Sequence, residues 1–160
     1  LLLKHGITIM PSTFLLPELV SPKGLWTKRK PDRAEKKDIH QGWKIAREIG
    51  KLDIGQCVAI SNGSVLAVEA IDGTDATILR AGRLSTGNGM VVVKLCKPGQ
   101  DLRFDLPSSG VKTIETLHAA GGTVLVLEAE KSLSFDRTEM IALADQHKIS
   151  ILACSDDDIQ

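Results

Sequence analysis

The sequence predicts an α/β domain, single and compact, in which helices flank a mixed sheet with β-hairpins. Short apolar runs rich in β-branched residues, such as residues 90–96, are bounded by turn residues and are typical of buried strands. Apolar residues at helical spacing after Asp38 indicate an amphipathic helix. Asn62-Gly63 between two apolar runs predicts a hairpin. Because hairpins interrupt the βα units, a purely doubly wound sheet is disfavoured.

The first third of the chain changes character twice. Residues 1–16 are mostly apolar and predict the end of a helix followed by a strand at 6–10. Residues 17–37 are rich in Pro, Gly and basic side chains, which is typical of a poorly packed linker. A helix with Asp38 as its N-cap then runs to about Ile49.

After this helix, strands and helices alternate to the end of the domain. Each strand is a short apolar run, and each helix begins near a capping residue. The predicted elements are strands at 56–61 and 65–71, a helix at 74–83 capped by Thr74, a strand at 90–95, a helix at 110–120, a strand at 123–127, a second hairpin arm at 132–135, an N-capped helix at 136–147 and a closing strand at 149–153. The domain is therefore expected at 38–155, and the Asp-rich residues 156–160 are expected to be a frayed tail.

The composition argues against several functions. Lys plus Arg and Asp plus Glu number 20 each, so no overall charge favours a nucleic acid, and with no Tyr, two Trp and three Phe the chain lacks a stacking surface for single strands. Three separated cysteines in apolar runs indicate reduced core thiols in a cytosolic protein. No apolar run reaches the roughly 18 to 20 residues that span a bilayer. The start without Met leads us to expect a fragment.

Candidate chemistry is concentrated in two acidic turns at predicted strand ends. The first contains Glu69, Asp72 and Asp75, and the second is the segment 97–107, in which Lys97, Asp101, Arg103 and Asp105 surround a Pro-Gly turn. Carboxylates hold hard divalent cations, and basic side chains neutralise phosphate oxygens. Together these residue types suit a pyrophosphate.

The same residues also have a structural interpretation. Asp72 and Asp75 are typical turn and helix-cap residues, and spacing alone favours that interpretation. Lys97, Arg103 and Asp105 could form surface salt bridges, each contributing about 0.5 kcal/mol. The residues by themselves leave the functional and the structural interpretation open.

Several blocks, taken in order, carry a resemblance to a known family. They are residues 46–56 (AREIGKLDIGQ), residues 65–70 (VLAVEA), residues 73–76 (GTDA), Lys97-Pro98, and Arg103 with Asp105-Leu106-Pro107. Over about residues 18–153 the chain resembles the C-terminal domain of the LpxI-type UDP-2,3-diacylglucosamine pyrophosphatases. The resemblance implies hydrolysis of UDP-2,3-diacylglucosamine to UMP and lipid X in lipid A biosynthesis, in which water attacks the pyrophosphate and Mg²⁺ or Mn²⁺ assists.

The resemblance also implies a set of site residues. Asp105, in the Arg-x-Asp-Leu-Pro block, matches the acid that the family requires, and Thr74 and Asp75 match its Gly-Thr-Asp block. The implied roles are catalysis by Asp105 and Asp75, substrate binding by Thr74, Lys97, Gln100, Arg103 and Gln56, and metal ligation by Asp105, Asp75, Asp101 and Glu69.

Family members carry a Rossmann-like N-terminal domain, and their substrate lies between the two domains. The resemblance therefore implies that residues 1–37 are a remnant of that domain with its linker, and that the rest of the domain is missing. It implies a cytoplasmic protein. Peripheral contact with the inner membrane and a homo-oligomeric state are both compatible with this expectation. A non-catalytic nucleotide-binding, lipid-binding or interaction domain that shares the fold is the alternative.

Overall fold

A six-stranded mixed sheet lies between two layers of helices in the computed structural model, which describes every residue except Leu1, Ile7, Ile9, Thr86, Asn88, Leu102 and Gln160. The strands of the described chain are β1 (Gly24–Leu25), β2 (Cys57–Ser61), β3 (Ser64–Val68), β4 (Val91–Lys94), β5 (Ser108–Ser109), β6 (Val124–Glu128), β7 (Leu133–Ser134) and β8 (Ser150–Cys154). The helices are α1 (Arg33–Lys51), α2 (Gly73–Leu84), α3 (Val111–Ala119) and α4 (Arg137–Gln146), with short 3-10 helices at Leu2–His5, Ser12–Phe14, Pro17–Leu19 and Asp156–Asp158.

The large sheet has the strand order β1-β8-β6-β4-β2-β3. Strands β4, β6 and β8 are parallel, whereas β1, β2 and β3 run antiparallel to the strands they join. Strands β5 and β7 form a separate two-stranded parallel sheet. The three parallel strands are covered on both faces, which is why they are almost entirely apolar. The prediction of an α/β fold with a mixed sheet is confirmed.

Two apolar cores lie on opposite faces of this sheet. Alternate residues of a strand face opposite sides, so Val92 packs with α2, α3 and α4, whereas Val91 and Val93 pack against α1. Helix α1 lies very close to β4, because a Cβ added at Gly42 would stand 2.9 Å from a Val93 methyl carbon. This close packing fixes the position of α1 and of Arg47, a site residue near the end of this helix.

The hairpin at Asn62-Gly63 is confirmed, but the predicted start of the first helix is wrong. Helix α1 begins at Arg33, because the Asp32 side chain accepts hydrogen bonds from the backbone N–H groups of Ala34 and Glu35 in a capping box. Asp38 is buried inside the helix. Its carboxylate accepts the Asn62 and Gly63 N–H groups, each at 2.7 Å, and so ties the hairpin turn to α1.

Two further predictions about local structure are wrong. The segment predicted as a hairpin arm at 132–135 contains β7, which pairs in parallel with β5 and so cannot belong to a hairpin. Helix α4 is present, but Asp136 makes no side-chain capping bond because its backbone is left-handed, with φ at 48°. The long-range pairing of β5 with β7, rather than a local turn, sets this region.

The stretch predicted as a poorly packed linker, residues 17–37, is partly packed against the sheet. Strand β1 pairs with Leu152 and Ala153, and both Ser21 and Thr27 are buried. This stretch therefore supplies β1, the outermost strand of the large sheet next to β8. That residues 1–37 derive from an upstream domain stays a prediction, and the predicted strand at 6–10 includes Ile7 and Ile9, which lie outside the described residues.

Asp156–Asp158 are packed against the domain, which contradicts the frayed tail predicted for these residues. These residues form a 3-10 helix, and the Asp156 carboxylate accepts hydrogen bonds from the Trp43 indole at 2.7 Å and from Arg47 at 3.0 Å. The tail therefore packs on the face of the sheet that α1 covers. Among the described residues, no helix is both long enough and apolar enough to cross a membrane.

Candidate active site

The candidate site lies at one edge of the large sheet. The parallel strands β4, β6 and β8 end at this edge, β3 ends there too, and β2 begins there because it runs the opposite way. The carboxyl ends of parallel strands are the usual position of sites in such sheets. The connections at this edge carry all the predicted site residues, and two clefts open among them.

The first cleft, which we call the helix cleft, has a volume of ≈ 380 Å³ and opens at the start of α2. Asp72 occupies the N-cap position without making a side-chain cap, since its carboxylate accepts the Ala70 N–H and an Arg80 N–H instead. The first N–H groups of a helix and its dipole favour an anion. The cleft is lined by Asp72, Gly73, Thr74, Asp75, Lys94, Ser108 and Thr113.

Three predicted site residues meet beside this cleft. The buried Glu69 accepts a hydrogen bond from the Thr74 hydroxyl at 2.9 Å and one from the Gln56 N–H at 3.2 Å. The prediction that Thr74 caps α2 is therefore wrong, because its hydroxyl binds Glu69. Gly55 permits this arrangement, since a Cβ there would stand 2.1 Å from the Glu69 carbonyl oxygen. The Gln56 side-chain oxygen is buried and has no hydrogen-bond partner among the described residues.

Lys94 is a cleft residue that sequence reasoning missed. It ends β4, is only 7% exposed, and donates to the Ser108 carbonyl oxygen at 2.6 Å. Among the described residues, no carboxylate lies within 4.0 Å of its amine, so Lys94 forms no salt bridge there. A buried ammonium without a counter-ion is costly and is unusual outside functional sites. The available signal was a lysine within a run of buried valines.

The second cleft, which we call the loop cleft, has a volume of ≈ 320 Å³ and lies beside the segment 97–107. At its base Glu128, 2% exposed, ends β6 and receives two hydrogen bonds from Arg47, at 2.8 and 2.9 Å. Lys131 also contacts Glu128, at 3.0 Å. The sequence analysis missed Arg47 and Glu128, because 81 residues separate them and nothing local links them. The lining residues are Arg47, Cys96, Lys97, Pro98, Gln100, Glu128, Lys131 and Asp156.

The segment 97–107 brings three predicted residues together. The Gln100 side-chain oxygen accepts the Lys97 N–H at 2.8 Å, and its NH₂ group donates to Asp105 at 3.0 Å. The Lys97 amine contacts Asp53 at 2.6 Å. That hydrogen bond raises the pKa of Lys97 above its usual value, and the nearby charges of Asp53, Asp105 and Glu69 act in the same direction. Lys97 is therefore held as a cation close to two predicted site carboxylates.

The other predicted residues of this segment bind each other. Arg103 donates to both oxygens of Asp101, with a shortest distance of 2.6 Å, and this hydrogen bonding lowers the pKa of Asp101 to about 2. Both side chains are about half exposed. Asp75 contacts only the exposed Lys112 among the described ion pairs, at 3.6 Å. The structural interpretation as a surface salt bridge therefore applies to Arg103, paired with Asp101, and to Lys97, paired with Asp53, whereas Asp105 forms no ion pair among the described residues.

The four predicted metal ligands do not form a cluster. In the part of the chain that the structure describes, no three His, Cys, Asp or Glu side chains come together as a metal site. Magnesium, however, is usually held by one or two carboxylates together with substrate phosphates and water. The exposed carboxylate of Asp105 and the partly exposed carboxylate of Asp75 fit that mode of binding, whereas Glu69 and Asp101 are engaged by Thr74, Gln56 and Arg103.

Comparison with known proteins identifies the family of the chain. The family model described as the LpxI C-terminal domain matches residues 22–152. The chain belongs to the LpxI C-terminal domain family. It is 39% identical over 157 residues to the UDP-2,3-diacylglucosamine pyrophosphatase LpxI of Caulobacter vibrioides, which covers 93% of the chain.

The LpxI match adds two facts about extent. It includes residues 22–37, so the family resemblance begins before α1 and takes in strand β1. The chain spans 56% of the length of the Caulobacter LpxI. The family match therefore takes in residues of every strand of the large sheet and all the residues that line the two clefts except Asp156.

Proposed function

We propose that this chain is the part of an LpxI-type enzyme that hydrolyses the pyrophosphate of UDP-2,3-diacylglucosamine, giving UMP and lipid X in lipid A biosynthesis. The observation that carries the proposal is the buried Lys94 amine, which lines the same cleft as Thr74 and Asp75 and has no carboxylate counter-ion among the described residues. A phosphate group would supply the missing negative charge. The activity of the Caulobacter relative supports the same substrate.

Substrate phosphates would meet positive charge from two directions. In the helix cleft, Lys94 and the uncapped start of α2 face one phosphate, and the Thr74 hydroxyl lies beside them. In the loop cleft, Lys97 stays protonated because of its bond with Asp53. Fixed cations and N–H groups stabilise the charge that builds up on phosphate oxygens during hydrolysis. We assign Thr74, Lys97, Gln56 and Arg103 to substrate binding.

Asp105 is the carboxylate that we assign to the reacting water. Its carboxylate is exposed and fixed by the NH₂ group of Gln100. In the proposed step the water oxygen attacks one phosphorus of the pyrophosphate, the bond from that phosphorus to the bridging oxygen breaks, and Asp105 accepts the water proton. Asp75, at the start of α2, is the second acid of the site.

We further propose that activity depends on Mg²⁺ or Mn²⁺, with Asp105 and Asp75 as the carboxylates that this chain supplies. A bound divalent cation would neutralise phosphate charge and polarise the phosphoryl oxygens. An N-terminal domain, as part of the complete protein, would close the substrate chamber. We propose a cytoplasmic protein that contacts the inner membrane peripherally, where its diacylated substrate and product would be drawn from and returned.

The full-length protein tests this proposal. We expect UMP release from UDP-2,3-diacylglucosamine, its loss in excess EDTA, and its recovery when Mg²⁺ or Mn²⁺ is restored. Asp105→Asn should fold normally, retain substrate and lose rate by on the order of a hundredfold or more, because the amide cannot take a proton. Asp157→Asn is the matched control, because Asp157 is exposed and lines neither cleft.

Three outcomes would contradict parts of the proposal. Unchanged UMP release in EDTA would mean that the reaction needs no divalent metal. Near-normal turnover of Asp105→Asn would make Asp75 the leading candidate for the catalytic acid. If the unchanged protein binds the substrate without releasing UMP, the alternative of a non-catalytic nucleotide-binding or lipid-binding domain is favoured.

A further inference from the structure

We propose that Glu128 and Cys96 are positioning residues for Asp105, acting through the side chain of Gln100. The four residues form a continuous chain of hydrogen bonds that runs from the buried end of β6 to the exposed segment 97–107. This inference rests on the proposed function, because it gives the positioned carboxylate a task only if Asp105 acts on water.

The chain begins at Glu128, which is almost fully buried and cannot move freely. Arg47 holds both of its oxygens, and one of them also accepts the Cys96 N–H at 3.0 Å. A buried carboxylate with charged and backbone partners has a single favourable orientation. Glu128 therefore fixes the backbone at Cys96, two residues after the end of β4, from which the segment 97–107 departs.

Gln100 is oriented by the next two hydrogen bonds. Its side-chain oxygen accepts both the Lys97 N–H at 2.8 Å and the Cys96 thiol at 3.1 Å. Burial raises the pKa of the Cys96 thiol, so it stays protonated and remains a donor. An NH₂ group cannot accept these two bonds. The amide must therefore turn its NH₂ group outward, where it meets an oxygen of Asp105 at 3.0 Å.

Asp105 depends on this contact for its orientation. Among the described residues Gln100 supplies the only side-chain hydrogen bond to its carboxylate, and the rest of that side chain is exposed. The Asp105 backbone is held separately, because its N–H donates to the Asp101 carbonyl oxygen at 2.9 Å. Loss of the Gln100 contact should thus free the carboxylate while the loop stays in place.

Two substitutions at Cys96 test the proposal, since they differ in hydrogen bonding rather than in size. Cys96→Ser keeps a donor toward Gln100, and Cys96→Ala removes it. In ¹⁵N-labelled protein of this sequence, we expect the side-chain NH₂ resonances of Gln100 to stay near their original positions in Cys96→Ser and to move in Cys96→Ala. Asp105→Asn should move them too. Unchanged Gln100 resonances in Cys96→Ala would overturn the proposal.

Activity of the full-length protein gives a second and separate readout. We expect kcat to fall by roughly tenfold to a hundredfold in Cys96→Ala with KM little changed, because misplacing a reacting group by about 1 Å has effects of this size. Cys96→Ser should retain most of kcat. A purely structural Cys96 predicts the reverse order, because the apolar Ala suits a buried position better than Ser does.

The two readouts separate failure of this proposal from failure of the proposed function. If Asp105→Asn is inactive but Cys96→Ala keeps full kcat, the positioning role is overturned and the proposed function stands. If the unchanged full-length protein releases no UMP, the proposed function fails, and the Gln100 resonances still decide whether Cys96 orients the Gln100 amide that contacts Asp105. Gln100→Glu repeats the kcat test without touching the core, because it keeps the shape and removes the donor; unchanged kcat would count against the proposal.

Discussion

Lys94 is the residue whose chemistry is hardest to explain by structure alone. Burying an ammonium costs free energy, and the Ser108 carbonyl oxygen returns only part of it. Residues of this kind often lower stability for the sake of function. Lys94 lies at the end of β4 and faces the uncapped start of α2, so a role in binding an anion would explain why the charge is buried.

The first prediction at this scale concerns Lys94→Met. We expect the melting temperature to stay the same or rise, because Met keeps the apolar stem and removes the buried charge. UMP release by the full-length protein should fall by on the order of a hundredfold. Thermal unfolding and the hydrolysis assay measure the two effects. Lys36→Met, on the exposed face of α1, is the control and should change neither.

A clear drop in melting temperature for Lys94→Met, with activity lost only in proportion to unfolding, would make the bond to Ser108 structural. Sequence reasoning did not find this residue, because a lysine inside a valine-rich strand gives no sign of what it faces. Asp105 could be predicted from its family block, whereas Lys94 could be recognised only once the structure showed that it faces the start of α2.

At the scale of elements, the hairpin turn was predicted correctly, whereas helix caps and long-range strand pairing were not. The turn at Asn62-Gly63 depends on two adjacent residues, so its hairpin could be predicted. The start of α1 was misplaced because Asp38 has the side chain of a cap, and only its contact with the hairpin amides shows its different task. The pairing of β5 with β7 joins residues about 25 positions apart in the sequence, and no local sequence pattern predicts it.

The 3-10 helix Asp156–Asp158 gives a prediction about pH. Partial burial would raise the pKa of Asp156, but the hydrogen bonds from Trp43 and Arg47 hold it below its usual value. The bond from Lys23 lowers the pKa of Asp158 to about 2. A carboxyl whose pKa is lower in the folded state stabilises it above the unfolded pKa of about 3.9, and this stabilisation is lost as the pH falls through the folded value.

We therefore expect the 3-10 helix to detach from α1 as the pH falls from about 4 toward 2. The indole N–H resonance of Trp43, which donates to Asp156, should move over this range. In Asp156→Asn the pH dependence of this resonance should largely disappear. An indole resonance that stays constant down to pH 2 in the unchanged chain would show that these carboxyls do not hold the helix in place.

At the scale of the whole molecule, the large sheet carries an apolar core on each face, and the two cores share its strands. Residues of β4 contribute alternately to both cores, so neither core can be lost while the other stays intact. A shared sheet of this kind favours a single cooperative transition. The fold class followed from composition and periodicity, whereas the assignment of each face to particular helices required the three-dimensional contacts.

The prediction at this scale is that the 160-residue chain unfolds in one transition. Trp26 packs against one core and Trp43 lies in the other, so each tryptophan reports on a different face. In Trp26→Phe and Trp43→Phe, the remaining fluorescence should give the same midpoint as circular dichroism of that same variant. Two separate midpoints within one variant would mean that the cores unfold independently.

The concentration of both clefts at one edge of the sheet leaves the opposite edge free for attachment. The hairpin turn at Asn62-Gly63 and the end of α4 lie there, and Gln146 is exposed. The native cysteines Cys57, Cys96 and Cys154 are all buried. A cysteine introduced at Gln146 would be the most reactive thiol of the chain, so the protein could be coupled through it to a sensor surface in one orientation, with both clefts facing the solution.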